Sequence, residues 1–353
     1  MNISYQKIKL TWIGLNIFMI ILMIIIGGIT RLTDSGLSMT EWNLISGALP
    51  PLNQNDWSIL FNKYMNTPEF KLKNYDITLN EFKRIFFWEY FHRIWGRLIG
   101  LTFIIPLIFF WFKNIISSKE KKFFSVLLLL GCFQAFVGWF MVKSGLVDKP
   151  DVSHFRLSAH LLIAFIIYSM LLYFFCTNIS LQKDHKRFVS VRHASHIKNI
   201  KISIFLVLIT ISSGAFVSGT NAGWAYNNFP YMGEKILPPI LYEVNIPPFT
   251  TLFNDIGFLQ FLHRVLATLT LFFVIFSIIK IFKSGLFKDT FILIIFMAFA
   301  VIAQYTLGIV ILRLFVPVSL GLAHQLGSLI LLSTLIITLC EIKKKRALTR
   351  PSV

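Results

Sequence analysis

Acidic residues are scarce in this chain. It has 16 Asp and Glu against 34 Lys and Arg, and charged residues of either sign make up only 14% of its 353 residues. A soluble domain carries about 25% charge, so this chain has too little polar surface to stand in water. A soluble enzyme, a disordered chain and a fibrous repeat are excluded. Cysteine is rarer still: Cys132, Cys176 and Cys340 all lie in apolar runs, with no CxxC spacing. That excludes a disulfide framework and a thiolate zinc site. The first apolar run lacks a small-residue cleavage site after it, so it reads as a retained spanning helix. No Arg- and Ser-rich leader precedes it, which points to a bacterial product and not an imported organellar one. Alternation is missing as well. The apolar runs are continuous, which excludes the strands of a membrane barrel.

What is present is hydrophobic: 56% of residues, 37 of them phenylalanine, with a mean hydropathy of +0.70. A bilayer core needs about 20 apolar residues per helix, and eight segments qualify: 11–30, 86–112, 123–142, 156–177, 202–219, 257–282, 290–312 and 318–340. The chain is therefore read as an all-α integral membrane protein. If both termini share one side with the loops after the second, fourth and sixth spans, that side, with Lys280 at the end of the sixth span, carries 20 of the 34 Lys and Arg but 4 of the 16 Asp and Glu. Basic segments such as Lys119–Lys122 and Lys343–Arg346 crowd there. By the positive-inside rule this side is cytoplasmic. The net charge of +18 is then a topological signal, and nucleic acid drops out as a partner. The opposite side has two longer connections, 31–85 and 220–256, which read either as interfacial loops with aromatic anchors or as substrate-facing lids.

The sequence repeats itself. Phe91-His92-Arg93 is echoed by Leu262-His263-Arg264, each opening an even-numbered span. Gln134 and Gly138 match Gln304 and Gly308 in the third and seventh. Ser158-Ala159-His160-Leu161 matches Gly321-Leu322-Ala323-His324 in placement, and Asp34-Ser35-Gly36 matches Asn221-Ala222-Gly223. The chain reads as two pseudo-symmetric four-helix bundles of the same orientation, residues 1–190 and 191–353, related as parallel repeats.

Four histidines, His92, His160, His263 and His324, share one setting near the outer ends of even-numbered spans. Each has a small residue four positions on, namely Gly96, Ala164, Ala267 and Ser328. Positions i and i+4 lie on one helix face, which leaves room for a flat group against the helix. Ionisable groups at membrane depth are costly and point to function. Imidazole suits Zn, Cu and Fe, but two histidines alone are an incomplete zinc site. Haem supplies its own equatorial nitrogens and asks the protein only for axial ligands. Each half therefore reads as a bis-histidine, haem-sized pocket: His92 with His160, and His263 with His324. Arg93, Arg97 and Arg264 either pair with propionates or snorkel to the interface. His154 reads as a solvated loop residue, and His185, His193 and His196 as solvated members of the basic cytoplasmic loop.

The halves differ at one place. Glu89 precedes His92 by three residues, and the matching position holds neutral Gln260. A carboxylate beside an apolar pocket either exchanges protons or pairs with Arg93 or Arg97. The difference suggests a reactive first half and a cofactor-holding second half.

The run Gly28–Ser38, Glu89-Tyr90-Phe91-His92-Arg93, Asn221-Ala222-Gly223, Phe229-Pro230, Phe261–Arg264 and Ala323-His324-Gln325 together resemble the haem A synthase family across nearly the whole chain. That resemblance implies eight spanning helices in two bundles, and oxidation of the C8 methyl of haem O to a formyl group, with water as the oxygen source, to give haem A. It implies that His263 and His324 ligate a b-type haem cofactor; Arg93 and Arg264, each beside a histidine, are read from the residues themselves as cofactor-binding. His92 and His160 would hold the iron of the substrate haem, and Glu89 would serve as proton acceptor or as stabiliser of a cationic methyl carbon. Some members carry a cysteine pair in an outer loop. This sequence has none there and is similar to the cysteine-free branch of proteobacteria and mitochondria. The partners implied are the lipid bilayer, haem O, and, from the pathway, haem O synthase and oxidase assembly factors. Homo-oligomerisation stays open. The location implied is a bacterial inner membrane, with both termini cytoplasmic and the active face toward the periplasm. The competing reading is a di-haem b-type electron-transfer cytochrome. It calls for haems stacked across the bilayer, whereas all four histidines sit toward one face. A haem-free transporter ranks last, because few charges lie in mid-span.

Overall fold

The computed structural model describes residues 3–41, 47, 49–145, 151–179, 193–243, 248–284 and 287–348. Eight long helices dominate them: α1 (Ile3–Leu32), α2 (Leu79–Phe112), α3 (Ser118–Gly145), α4 (His154–Asn178), α5 (His193–Gly219), α6 (Ile256–Phe282), α7 (Phe287–Arg313) and α8 (Val318–Leu348). Each is long and apolar enough to cross a membrane. Among the described residues there is no strand, only an isolated bridge between Met232 and Lys235. The protein is an all-α membrane protein, because backbone N–H and C=O groups in hydrocarbon must be satisfied within each segment. Large side chains such as Phe112, Phe272 and Phe299 are exposed along these helices, which suits contact with lipid.

The helices outrun the apolar segments that announce them. Hydropathy marks only the part suited to hydrocarbon, while polar turns continue the helix beyond it. α2 begins seven residues before its apolar run because Thr78 and Glu81 form a reciprocal capping box: Glu81 N–H donates to Thr78 Oγ1 at 3.3 Å, and Thr78 N–H to Glu81 Oε2 at 2.9 Å. α5 begins at His193, well before residue 202. This corrects the reading of His196 as solvated, since it lies in the helix and is buried. His154 likewise opens α4 and is half-buried. His185 and the basic residues 183–192 lie outside the described residues.

The chain divides into two compact units, Met1–Ile167 and Tyr168–Val353. The division falls inside α4 and not near residue 190. In the first unit α1 packs along α2. Trp12 Nε1 donates to Thr102 O at 2.8 Å and Trp95 Nε1 to Met19 O at 2.9 Å. Lys9 of α1 is buried in an ion pair with Glu120 of α3. In the second unit α5 packs on α6 and α8, and α7 on α8. Hydroxyl pairs bridge α5 to α6: Thr210 with Thr270 at 2.8 Å, and Ser203 with Ser277 at 3.2 Å. Such polar contacts suit helix association in lipid, where apolar side chains gain little by leaving the bilayer.

The connection between α1 and α2 folds into two short helices, Gln54–Met65 and Pro68–Leu72, capped by Asn53 and Thr67. Buried Tyr64, Phe82 and Phe86, with Trp57, Phe61 and Phe70 against them, fasten this cap to the first turns of α2. Glu69 is buried beneath it, and Tyr64 Oη donates to its Oε2 at 3.1 Å. Burial, reinforced by the charges of Glu89 and Asp34, pushes the Glu69 carboxyl up to about 8, against the opposing effects of Tyr64 and Lys73. Its folded-state value thus lies above the unfolded one of about 4.3, so its contribution to stability is full below that pH and is lost as pH rises through about 8. The expected result is a melting temperature that falls between pH 5 and pH 9 in detergent, with a flatter profile in Glu69→Gln. Identical profiles for the two proteins would contradict this.

Candidate haem-binding site

The four histidines sit on even-numbered helices, and each imidazole rests on a glycine of the preceding helix. A methyl group added at Gly27 of α1 would lie 3.3 Å from the His92 ring, and one at Gly138 of α3 would lie 2.9 Å from His160 Cε1. In the second unit, a methyl at Gly214 of α5 would stand 3.1 Å from His263 Cε1, and one at Gly308 of α7 would stand 3.1 Å from His324 Cε1. Ordinary carbon contacts begin at about 3.5 Å. A side chain at these positions would push the imidazole, so glycine is what lets each ring lie against the neighbouring helix. The small residue four positions after each histidine plays a less uniform part, since at Gly96 the space is taken by Met23 Cε, 3.3 Å from where a Cβ would stand.

In the second unit the His263 and His324 rings adjoin each other, with centroids 6.4 Å apart and planes at 80°. Two imidazole nitrogens held on one metal from opposite sides, each about 2.0 Å away, place the ring centres about 6 Å apart. The pair fits an axial ligand set for haem iron. The tautomer fits as well. Ser213 Oγ donates to Thr210 O at 2.8 Å, so its contact of 2.8 Å with His263 Nδ1 has the ring N–H as donor. This leaves the Nε2 lone pair for a metal, and such partners orient ligating histidines. Gln304 Nε2 donates to the backbone oxygen of His324 at 2.9 Å, tying α7 to the early turn of α8 from which that ring projects. His324 Nδ1 and Arg264 Nε are buried without a hydrogen-bond partner among the described residues. In the first unit His92 and His160 are near enough to influence each other electrostatically, and the His160 ring lies beside the backbone of Gln134 in α3.

Each pair adjoins a clasp between an even-numbered helix and the connection before it. Glu89 and Arg93, both buried, form an ion pair at 2.5 Å. Glu89 Oε2 also accepts from Ser38 Oγ at 2.7 Å and Met39 N at 2.8 Å, while Arg93 donates to Glu41 O at 2.9 Å and Met39 O at 3.1 Å. In the second unit Gln260 Oε1 accepts from Arg264 at 3.1 Å, and Gln260 Nε2 donates to Ala222 O and Tyr226 O at 3.0 and 3.1 Å. Arg264 also donates to the carbonyls of Tyr226 and Tyr231 at 2.8 and 3.0 Å. The two clasps share a design with opposite polarity. The first presents loop donors to a carboxylate, and the second presents loop carbonyls to an amide. The Nε of Arg264 takes no part in its clasp and is buried without a hydrogen-bond partner among the described residues.

The sequence had paired Gly138 with Gly308 without showing that they seat histidines. It gave no role to Gly27, Gly214, Ser213 or Ser38. The available signal was the recurrence of a glycine on every odd-numbered span.

Comparison with known proteins agrees with this geometry. Residues 10–336 match the COX15-CtaA family model, described as cytochrome oxidase assembly protein. The chain is 41% identical over 345 residues to haem A synthase of Wolbachia sp. subsp. Brugia malayi (strain TRS), covering 98% of this chain and all of that protein. It is 40% identical over 339 residues to haem A synthase of Rickettsia bellii (strain OSU 85-389), covering 94% of this chain and 97% of that protein. Identity to haem A synthase of Nitrosospira multiformis is 40% over 334 residues, covering 93% and 91%. The repeated histidine seats, the two clasps and these matches along the whole chain make it a member of the haem A synthase family of cytochrome oxidase assembly proteins.

Proposed function

We propose that the chain oxidises the C8 methyl of haem O to a formyl group, giving haem A for terminal oxidase assembly. The observation that carries this reading beyond family membership is the unlike pair of clasps: a buried carboxylate, Glu89, beside the first histidine pair, and a neutral amide, Gln260, beside the second. Two identical electron carriers would have no use for that difference.

In this reading His263 and His324 hold a b-type haem, with Ser213 fixing the His263 tautomer and Arg264 Nε free to meet a propionate. When bound, that haem supplies one-electron redox chemistry. His92 and His160, seated on Gly27 and Gly138, hold the iron of the substrate haem O and orient its edge. Conversion of methyl to formyl with water as oxygen source releases four protons and four electrons. Glu89 supplies negative charge where positive charge develops at the methyl carbon, and it accepts a proton. Arg93 keeps the carboxylate in place and holds residues 39–41 over it. A charge fixed in a dry site acts more strongly than one in water. The distribution of basic residues supports a topology with both termini at the cytoplasmic face of a bacterial inner membrane and the histidine-bearing helix ends toward the periplasm.

Deleting the gene is expected to leave terminal oxidases without haem A while haem O accumulates, as measured by mass spectrometry of extracted haems. Unchanged haem A in the deletion strain would overturn the reading.

A further inference from the structure

We propose that a cleft above Ser38 is the route by which protons leave Glu89, with the Ser38 hydroxyl as the link. The proposal rests on the oxidation described above, which sheds protons at a buried site.

The cleft has a volume of about 300 Å3 and is lined by Ser38, Met39, Glu41, Asp56, Leu60 and Phe86, among others. Leu49 and Ile59 in its lining are exposed, and the lining also includes the two residues that donate to Glu89 Oε2. Glu89 is itself only 3% exposed and does not line the cleft, whereas Ser38, 2% exposed, does. Of its two loop donors, the Met39 amide is a poor proton carrier, while a hydroxyl both donates and accepts. Ser38 Oγ has two acceptors, Glu89 Oε2 at 2.7 Å and Ser35 O at 3.2 Å, so its proton has two settings. Asp56 and Glu41 also line the cleft, the latter paired with Lys63 at 2.6 Å. Acidic groups around a narrow opening favour the passage of cations.

The transfer is simple to balance. Protonated Glu89 gives its proton to Ser38 Oγ as Ser38 passes its own proton to a water in the cleft. One O–H bond breaks and one forms at the hydroxyl, no electrons move, and rotation of the new O–H restores the starting arrangement.

The test is haem A formation from haem O in membranes containing the full-length protein, timed in H2O and D2O. Ser38→Ala is expected to slow formation about tenfold or more and to raise the solvent isotope effect, with the haem b absorption retained. Ser38→Thr, which keeps a hydroxyl, is expected to rescue the rate. Leu60→Trp, which narrows the cleft without touching Glu89, is expected to slow the reaction and raise the isotope effect too. It decides the matter if Ser38→Ala loses its haem b. An unchanged rate and isotope effect in Ser38→Ala and Leu60→Trp would overturn the route, as would Ser38→Thr being as slow as Ser38→Ala. A wild type that forms no haem A fails the functional reading itself, whereas an active wild type matched by Ser38→Ala fails only the route.

Discussion

Replacing Glu89 by glutamine is expected to abolish haem A formation while leaving the haem b spectrum intact. The second unit supplies the reason to expect a folded variant, because Gln260 occupies the matching position, accepts from Arg264 at 3.1 Å and stays buried. An amide can therefore serve in such a clasp. In the first unit it would meet two donors, Ser38 Oγ and the Met39 amide, so one clasp bond is lost at a cost of about 1–3 kcal/mol. That weakens the attachment of residues 38–41 without reaching the second histidine pair. The chemical loss is larger. Removing a group that takes a proton or faces developing charge costs about 100-fold or more in rate. The measurement is haem A yield from membranes of the variant, alongside its reduced haem b absorption. A variant that makes haem A at the wild-type rate would end the proposed division of labour between the halves.

His263→Ala and His324→Ala are each expected to lose the b-type haem, and Gly308→Ala to disturb it without removing either ligand. The ring centroids stand 6.4 Å apart, close to the separation of two imidazoles on one iron, and metal–ligand distances tolerate only about 0.2 Å of error. A methyl at Gly308 would stand 3.1 Å from His324 Cε1, so the ring must retreat by a few tenths of an ångström. The expected readout is a graded one: Soret absorbance lost in the histidine variants, and a shifted or weakened spectrum in Gly308→Ala. Full haem content with an unaltered spectrum in His263→Ala would show that this pair does not hold the cofactor.

Much of this architecture was legible in the sequence because lipid imposes a simple rule. Every span was found from its apolar run, and the repeat of His92, His160, His263 and His324 stood out because ionisable groups are rare in such runs. What stayed hidden depends on backbone approach and on loops. A glycine in an apolar helix looks like any other small residue, so Gly27 and Gly214 gave no sign that an imidazole rests on them. The cap over α2 was missed although its signals were present in Asn53, Thr67-Pro68 and the Thr78–Glu81 box, because they lie in a segment with little apolar periodicity. Glu89 was singled out in the sequence as the point where the halves differ. Its contacts with Ser38 and Met39, about fifty residues away in sequence, could come only from the folded chain.

The most direct test of the central claim, that one half holds a cofactor and the other the substrate, is the haem content of the purified wild-type protein by extraction and mass spectrometry. The account predicts haem b together with haem O or haem A in the same preparation. Haem b alone, at two equivalents per chain, would contradict it.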